Sequence, residues 1–365
     1  MEDWKESRLS RRLALDSMVI EKVYAMIAEI DGVKNGWQLT SRLQPRTIDR
    51  LSRSVIVTST GASNRIEGNK LSDKEVEALY RQLRIKKFRT RDQQEVAGYL
   101  EVLESIFQNY REMKLGESLF LQLHRDMLRH CERDVRHAGI YKFGPNRVEA
   151  KNAAGEVVGI VFDPTPPHLV QKEIQELIGW YGQATGENFR HPLILAANFL
   201  FEYLAIHPFQ DGNGRTSRLL TNLILLRGGY EFAEVVSHEK LVENRKTDYY
   251  LALNRTQRTW KTEQEDISAW LVFFLEVVRQ QSREALEILS GDQIENLLSE
   301  KQIVLWQWAN STGEFSRKSA VEALGMAPRT VESIIKKLLD LKKLDRLGEG
   351  RATRYRVSPP KSKAP

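Results

Sequence analysis

The chain is almost without cysteine and has no long apolar run, and both shortages restrict what it can be. Cys131 is the one cysteine in 365 residues, so neither an intramolecular disulfide nor a cysteine-based zinc cluster is expected. No apolar stretch approaches the ~18 residues that a membrane-spanning helix needs. Residues 1–15 are charged rather than apolar, which disfavours a secretory leader. We therefore expect a cytoplasmic protein that does not enter a membrane.

Apolar and charged residues occur in the proportions of an ordinary globular protein. Hydrophobic residues make up 41% of the chain, enough for a sizeable core, and the length predicts two or three domains. The net charge of +6 is concentrated near the C-terminus, where residues 314–365 hold 13 Lys and Arg against 6 Asp and Glu. A basic tail on a nearly neutral body indicates an acidic partner for the tail alone.

Apolar residues recur at three- and four-residue spacing through most of the chain, which predicts a mainly α-helical fold. Residues 147–162 differ, because short β-prone segments flank Ala153-Ala154-Gly155 and lead to Asp163-Pro164; they predict a small β-hairpin closed by proline. The sequence turns polar at 289–299. We expect three regions: an N-terminal helical region at 1–100, a core at 101–290 and a C-terminal module at 291–365.

A buried helix leads into the chemically richest segment of the chain. Leu193–Ile206 is apolar on nearly every side, and Pro208 should end that helix before His207. Gly212 and Gly214 tolerate the φ values that let backbone N–H groups converge. The helix that follows, starting near Arg215, points its positive end at the same place, so the segment predicts an anion-binding site.

Charged side chains complete this segment. Arg215 and Arg218 are three residues apart and supply guanidinium groups suited to phosphate oxygens. Asp211 supplies a carboxylate of the kind that Mg²⁺ takes together with substrate phosphates. His207 supplies a base; the other histidines show no ligand spacing and are expected to be structural or solvent-facing. Each feature alone is typical of an ordinary turn, but together they predict phosphoryl-type transfer.

Residues 207–218, HPFQDGNGRTSR, resemble at every defining position the signature HPFx(D/E)GNGRxxR of the Fic family. The resemblance implies an all-helical core, His207 as general base and Asp211 as the Mg²⁺ ligand, with Phe209 anchoring the loop. The phosphates would be held by five residues of the same segment: Gly212, Asn213, Gly214, Arg215 and Arg218.

The activity implied by the resemblance is transfer of AMP from ATP to Ser, Thr or Tyr hydroxyls of target proteins, the chain itself included. Two enzymatic alternatives stay open: removal of AMP from modified proteins, and transfer of UMP, phosphate or phosphocholine. A non-enzymatic alternative is a DNA-binding regulator in which the loop only senses nucleotide.

Two more segments carry the resemblance. The hairpin at 147–162 stands where the family has its flap, which pins a target segment by strand addition. Residues 244–253 are similar to the segment that lines the nucleobase pocket, where Tyr250 would contact the nucleotide; packing between helices explains Tyr249 and Tyr250 equally well.

Residues 63–69, SNRIEGN, resemble the inhibitory motif (S/T)xxxE(G/N) of one Fic class, with Ser63, Glu67 and Gly68 at its defining positions. The resemblance implies that Glu67 reaches Arg218 and occupies the place of the ATP γ-phosphate, which would inhibit transfer. Some family members use the same glutamate to remove AMP, and the sequence leaves the two roles open.

Residues 315–357 have the pattern of a winged helix-turn-helix. Two helices joined by a turn precede two β-prone stretches around the Gly348-Glu349-Gly350 tip, and Thr330 is the expected N-cap of the second helix. In DNA binding that helix would enter the major groove, and phosphates would be held by Arg351, Arg354 and Arg356. Such a module also serves dimerisation or target docking, so DNA, a protein partner and a homodimer all stay open.

Overall fold

The computed structural model describes residues 4–41, 45–82, 88–146, 148–151, 157–290, 298–341, 343–348 and 353–358. The chain divides into two compact units, Met1–Leu286 and Glu287–Pro365. The polar stretch at 289–299, where the sequence predicts a boundary, lies mostly outside the described residues.

The first unit is helical, which confirms the predicted mainly α fold class. None of its described helices combines the length and apolar character that a bilayer crossing requires. The helices that begin in this unit are α1 (Arg8–Arg11), α2 (Ser17–Ser41), α3 (Pro45–Ile66), α4 (Asp73–Gln82), α5 (Arg91–Asn109), α6 (Glu117–Met127), α7 (Pro167–Gly186), α8 (Pro192–Ile206), α9 (Asn213–Arg227), α10 (His238–Asn244), α11 (Lys246–Gln257) and α12 (Ser268–Ser290).

Helix α8 forms the centre of the unit because it has no polar face. Every residue from Leu193 to Ile206 is buried, and α7 and α9 pack along it. A helix that is apolar on all sides is stable only inside a core. The helix ends at Ile206, as the following His207-Pro208 predicts.

The polar groups that α8 does bury are paired with the N-terminal segment. Arg12 donates to Asn198 Oδ1 and to Glu202 Oε2, each at 2.5 Å, and Arg8 also contacts Glu202. Burial alone would raise the pKa of Glu202, but the two guanidinium groups outweigh it and lower the pKa to about 2. The buried carboxylate is therefore ionised and neutralised by the N-terminal segment.

Helices α5 and α6 cross closely beneath the loop that follows α8. A Cβ added to Gly98 of α5 would lie 1.9 Å from the carbonyl oxygen of Met127 in α6, so only glycine fits there. The crossing brings Glu95 to within 3.5 Å of Arg215 and His124 to within 3.0 Å of the Asp211 carbonyl. These two helices thus form the floor of the predicted site.

The predicted hairpin is present as strands β1 (Val148–Lys151) and β2 (Val157–Phe162), which pair antiparallel. Val148 lies opposite Phe162 and Lys151 opposite Val157. Arg147 and the turn at 152–156 lie outside the described residues. After Phe162, Pro164 ends the strand and α7 begins at Pro167.

The second unit has three helices and a hairpin in its described part: α13 (Glu300–Thr312), α14 (Arg317–Leu324), α15 (Pro328–Asp340), β3 (Leu344–Leu347) and β4 (Arg354–Val357). Its core includes Leu305, Phe315, Val331 and Leu338. The N-cap prediction for Thr330 is wrong, since α15 starts at Pro328, whose fixed φ suits a first helical turn. Residues 349–352, with the tip and Arg351, lie outside the described residues.

Candidate active site

His207 lies directly after α8 and turns the chain out of the helix. Its backbone is left-handed, with φ 53° and ψ 62°, a conformation that few residues other than glycine adopt. Its Nδ1 lies 3.3 Å from the carbonyl oxygen of Leu204. Because a carbonyl can only accept, this contact places the ring proton on Nδ1 and leaves Nε2 free to act as a base.

The surroundings of His207 keep its ring neutral. Burial lowers its pKa to about 4, and the nearby ammonium of Lys142 acts in the same direction. The Leu204 carbonyl and the carboxylates of Glu67 and Asp211 oppose this shift without cancelling it. Near neutral pH the imidazole can therefore accept a proton from a substrate.

Phe209 fixes the middle of the loop. It is fully buried and stacks on the ring of His124, with centroids 3.7 Å apart. Asn213 accepts from Phe209 N at 2.8 Å and donates to Phe209 O at 2.7 Å. Both polar atoms of the Asn213 side chain bond to Phe209 and close the loop, so only the backbone N–H of Asn213 is available to bind an anion.

Gly212 and Gly214 suit the start of α9 for different structural reasons. Gly212 has φ 81° at the N-cap of α9, as predicted. The same prediction is wrong for Gly214, which lies inside α9 and has no positive φ. A Cβ at Gly214 would lie 2.3 Å from Oε1 of Glu67, so this glycine leaves a space above the first turn of α9, which the Glu67 carboxylate occupies.

Arg218 borders this space from inside the core, with 3% of its side chain exposed. Its Nε donates to Ser63 Oγ at 2.8 Å, and its Nη2 donates to Ser63 O at 3.0 Å and to Glu67 Oε1 at 2.7 Å. Nη1 is buried and has no hydrogen-bond partner in the part of the chain that the structure describes; it lies 3.2 Å from the Cβ position at Gly214. A spare guanidinium donor that borders this space suits a phosphate oxygen once the Glu67 carboxylate has moved away.

Glu67 reaches the same space from the end of α3. Gly68, with φ 97°, ends that helix, and Asn69 N donates to Asn64 O at 3.1 Å, as at many helix ends terminated by left-handed glycine. Burial opposes ionisation of Glu67, but Arg218 outweighs it and lowers the pKa. The ionised carboxylate lies beside Gly214 at the positive N-terminus of α9, where an external anion would bind.

Arg215 does not join Arg218, although the two are three residues apart. Its side chain, 3% exposed, pairs with Asp211 Oδ2 at 3.1 Å and Glu95 Oε1 at 3.5 Å. Arg91 approaches the same Asp211 oxygen at 3.4 Å. Arg215 thus pairs with carboxylates of the loop and of α5, and its contact with nucleotide phosphates stays a prediction.

Asp211 is the one loop residue suited to a metal ion. Burial raises its pKa, but Arg215 and the Gly212 N–H outweigh this, so the pKa lies below its ordinary value. Its side chain is 46% exposed. Within the described ranges no group of three or more His, Cys, Asp or Glu could hold an ion alone. A single accessible carboxylate fits Mg²⁺, which takes its other ligands from phosphates and water.

The two tyrosines of α11 have different environments. Tyr249 is buried, with its ring centroid 5.8 Å from those of Trp270 and Phe273, so it packs between helices. Tyr250 is 44% exposed. Burial raises the pKa of Tyr250, and the charge of Glu67 adds to the effect, so its hydroxyl lies within electrostatic reach of the α9 space.

Sequence reasoning missed the importance of His124. Its Nδ1 accepts from Gly139 N at 2.9 Å, which leaves the proton on Nε2 for donation to the Asp211 carbonyl at 3.0 Å. Burial lowers its pKa to about 4, so the ring stays neutral. Nothing local links His124 to a residue 87 positions later, because the contact depends on the α5–α6 crossing.

Known proteins resemble this chain in sequence and in fold. Residues 70–225 match the family model of the Fic/DOC family. A protein adenylyltransferase, fic-1, of Caenorhabditis elegans is 33% identical over 93 residues, 26% of this chain and 17% of the relative. A protein adenylyltransferase Fic of Nematostella vectensis is 28% identical over 198 residues, 53% of this chain and 41% of the relative. The chain thus spans less than half the length of these curated relatives.

A solved structure is similar over nearly the whole chain. The crystal structure of a Fic family protein from Desulfovibrio desulfuricans G20 covers 94% of this chain and 97% of its own, with a TM-score of 0.59 and 23% sequence identity. At this identity the likeness concerns the fold.

Proposed function

The chain carries a domain of the Fic/DOC family, and we propose that it transfers AMP from ATP to hydroxyl groups of protein side chains, its own included. One observation supports the proposal: a neutral His207 and a space suited to an anion, which the Glu67 carboxylate now occupies and which Gly214 and the spare donor of Arg218 border, flank the same short loop. A base beside a phosphate site is what transfer of a nucleotidyl group to a hydroxyl requires.

The reaction assigns one task to each group. Nε2 of His207 takes the proton as the Ser, Thr or Tyr oxygen attacks the α-phosphorus; the new O–P bond forms and the bond to the departing pyrophosphate breaks. Arg218 and the N–H groups at the start of α9 hold phosphate oxygens. Tyr250 would border the nucleoside. A bound Mg²⁺ would neutralise phosphate charge, and Asp211 is the residue that would hold it, after loosening its contacts with the neighbouring arginines.

We further propose that Glu67 inhibits this reaction. Its carboxylate occupies the space that a triphosphate needs, and it engages Nη2 of Arg218 at 2.7 Å. ATP can therefore bind productively only after Glu67 leaves. Ser63, which accepts from Nε of Arg218, would keep the arginine in place meanwhile.

Removal of AMP from modified proteins is a second candidate, and the exposure of Glu67 favours it. A carboxylate with 37% of its side chain exposed can hold and orient a water molecule beside the phosphate site. In that case Glu67 would be required for the reaction rather than opposed to it, so the two functions predict opposite effects of its removal.

ATP labelled at the α- or the γ-phosphorus distinguishes the reaction classes. The Glu67→Gly protein and its His207→Ala double variant are incubated with each label and with cell lysate. Transfer of the α-label alone, lost in the double variant, supports the proposal. Transfer of the γ-label would show phosphoryl transfer, and release of AMP from a modified target by wild type but not by Glu67→Gly would show removal.

For the second unit we propose binding to an acidic partner, with double-stranded DNA as the first candidate. Helix α15 buries Val331 and Ile334 and exposes Arg329, Lys336 and Lys337 on other faces. A gel-shift titration with the full chain should show salt-dependent binding that weakens in Arg329→Gln. Absence of binding at low salt would favour a protein partner, and specific binding that survives His207→Ala would favour the nucleotide-sensing regulator.

A further inference from the structure

The segment from Lys142 to Asn146 contacts the chain from Ile206, the last residue of α8, to Phe209 in the loop that follows. Lys142 Nζ donates to Ile206 O at 3.2 Å, and Lys142 N donates to Pro208 O at 2.9 Å. Asn146 Nδ2 donates to His207 O at 3.4 Å and to Phe209 O at 2.6 Å. Two residues thus supply donors to four successive carbonyl groups, 206 to 209.

These two side chains also fix each other. Nζ of Lys142 donates to Asn146 Oδ1 at 2.7 Å, so the Asn146 amide is held with its Nδ2 toward the loop. Lys142 is 4% exposed. Burying an ammonium is costly, so a lysine in this position needs the carbonyl oxygens that it contacts. One of them, the oxygen of Ile206, lies at the C-terminal end of α8, where a positive charge is favourable.

The loop needs such support because His207 is strained. A residue other than glycine is strained in the left-handed region and persists there only where its surroundings enforce it. Hydrogen bonds hold the peptide groups on both sides of His207. Lys142 donates to the carbonyl of Ile206, and Asn146 donates to the carbonyl of His207.

We infer that Lys142 and Asn146 are positioning residues, which clamp the backbone from Ile206 to Phe209 and so hold His207 where it can act as the base. The inference rests on the proposed function. Both residues donate to the backbone of the loop and of the helix end before it, so their action on the reaction passes through the loop.

Electrostatics gives the lysine a second effect on the same histidine. Burial lowers the pKa of Lys142 to about 8, so it is charged near neutral pH. Its charge adds to burial in lowering the pKa of His207, against the Leu204 carbonyl and the carboxylates of Glu67 and Asp211. Loss of the lysine charge should therefore move the acidic limb of the rate profile to higher pH.

The test uses the full chain carrying Glu67→Gly, which leaves the clamp intact. Lys142→Met and Asn146→Asp remove donors at nearly constant size, Lys142→Arg keeps donors for the same carbonyls, and Lys172→Met, at an exposed position of α7, is the matched control. We expect kcat to fall tenfold or more in the first two variants, with ATP affinity by calorimetry within twofold of the parent. Lys142→Arg should recover most of the activity, and the control should lose none.

Hydrogen–deuterium exchange of the peptide covering 207–212 measures the clamp without any turnover. We expect faster exchange in Lys142→Met and Asn146→Asp and no change in the control. Unchanged exchange, or faster exchange with unchanged kcat, would overturn the inference. If Glu67→Gly transfers nothing from ATP, the proposed function fails, while exchange still decides whether the clamp exists.

Discussion

Replacing Glu67 by glycine removes the carboxylate that competes with ATP. Two unit charges about 4 Å apart attract by about 4 kcal/mol at an effective dielectric of ~20. Because 37% of the Glu67 side chain is exposed, solvent screening and the cost of desolvating both groups reduce this to about 1–2 kcal/mol. That free energy corresponds to an increase of about 5- to 30-fold in the population able to bind ATP productively.

The assay is incorporation of label from α-labelled ATP into the protein itself and into lysate proteins. Glu77→Gly is the matched control, since Glu77 also pairs with an arginine but is 49% exposed on α4. Glu67→Gly should exceed wild type by the stated factor, and Glu77→Gly should not. Arg218→Ala should not mimic the gain, because it frees the space but loses the phosphate ligand.

Two results would refute the reasoning. Equal labelling by wild type and Glu67→Gly would show that the pair seen between Glu67 and Arg218 does not limit ATP binding. Lower labelling in Glu67→Gly, together with slower loss of AMP from a modified target, would make Glu67 a hydrolytic residue and AMP removal the better description.

Three further predictions concern the base, the metal and the core. His207→Ala should lower the rate of transfer at least about 100-fold and leave ATP affinity within twofold, measured by label incorporation and calorimetry. Equal activity would show that His207 is not the general base. Asp211→Ala should lose the Mg²⁺ dependence of the rate, and a Mg²⁺ titration matching wild type would exclude this ligand. Arg12→Met should lower the free energy of unfolding by about 1–3 kcal/mol, read from thermal melts, because Glu202 loses one of its two guanidinium partners and Asn198 loses a donor. Folding lowers the pKa of Glu202 to about 2. The stability that its ion pairs give the folded protein is therefore complete above pH ~4.3 and is lost as the pH falls toward 2 in wild type. Arg12→Met should lose less stability over this pH range, and the same pH dependence of the melting temperature in both proteins would contradict this.

Local signals in the sequence predict much of the fold. Pro208 ends α8 where expected, the proline run after Phe162 closes the hairpin, and the turn before Pro328 separates α14 from α15. Each of these depends on the conformation of one or two residues, which the chain specifies without reference to distant parts.

The parts that the sequence does not predict depend on tertiary contacts. Helix α9 starts at Asn213, close to the predicted start near Arg215, and includes Asn and Gly, whose intrinsic helix propensity is weak. Lys142 lies 64 residues from the carbonyl of Ile206, and Arg12 lies 190 from Glu202. No spacing rule connects such pairs, so their roles become visible only when the helices are packed.

Helix α8 is buried from Leu193 to Ile206 and His207 follows it directly, so the base is attached to an element that cannot shift without disturbing the core. Moving that histidine would mean opening the core, and any change that switches activity on must therefore occur around it. The side chain of Glu67, at the end of α3, can move without disturbing α8. Substitutions that alter when the reaction occurs can thus accumulate in the surrounding segments while the chemistry itself stays unchanged.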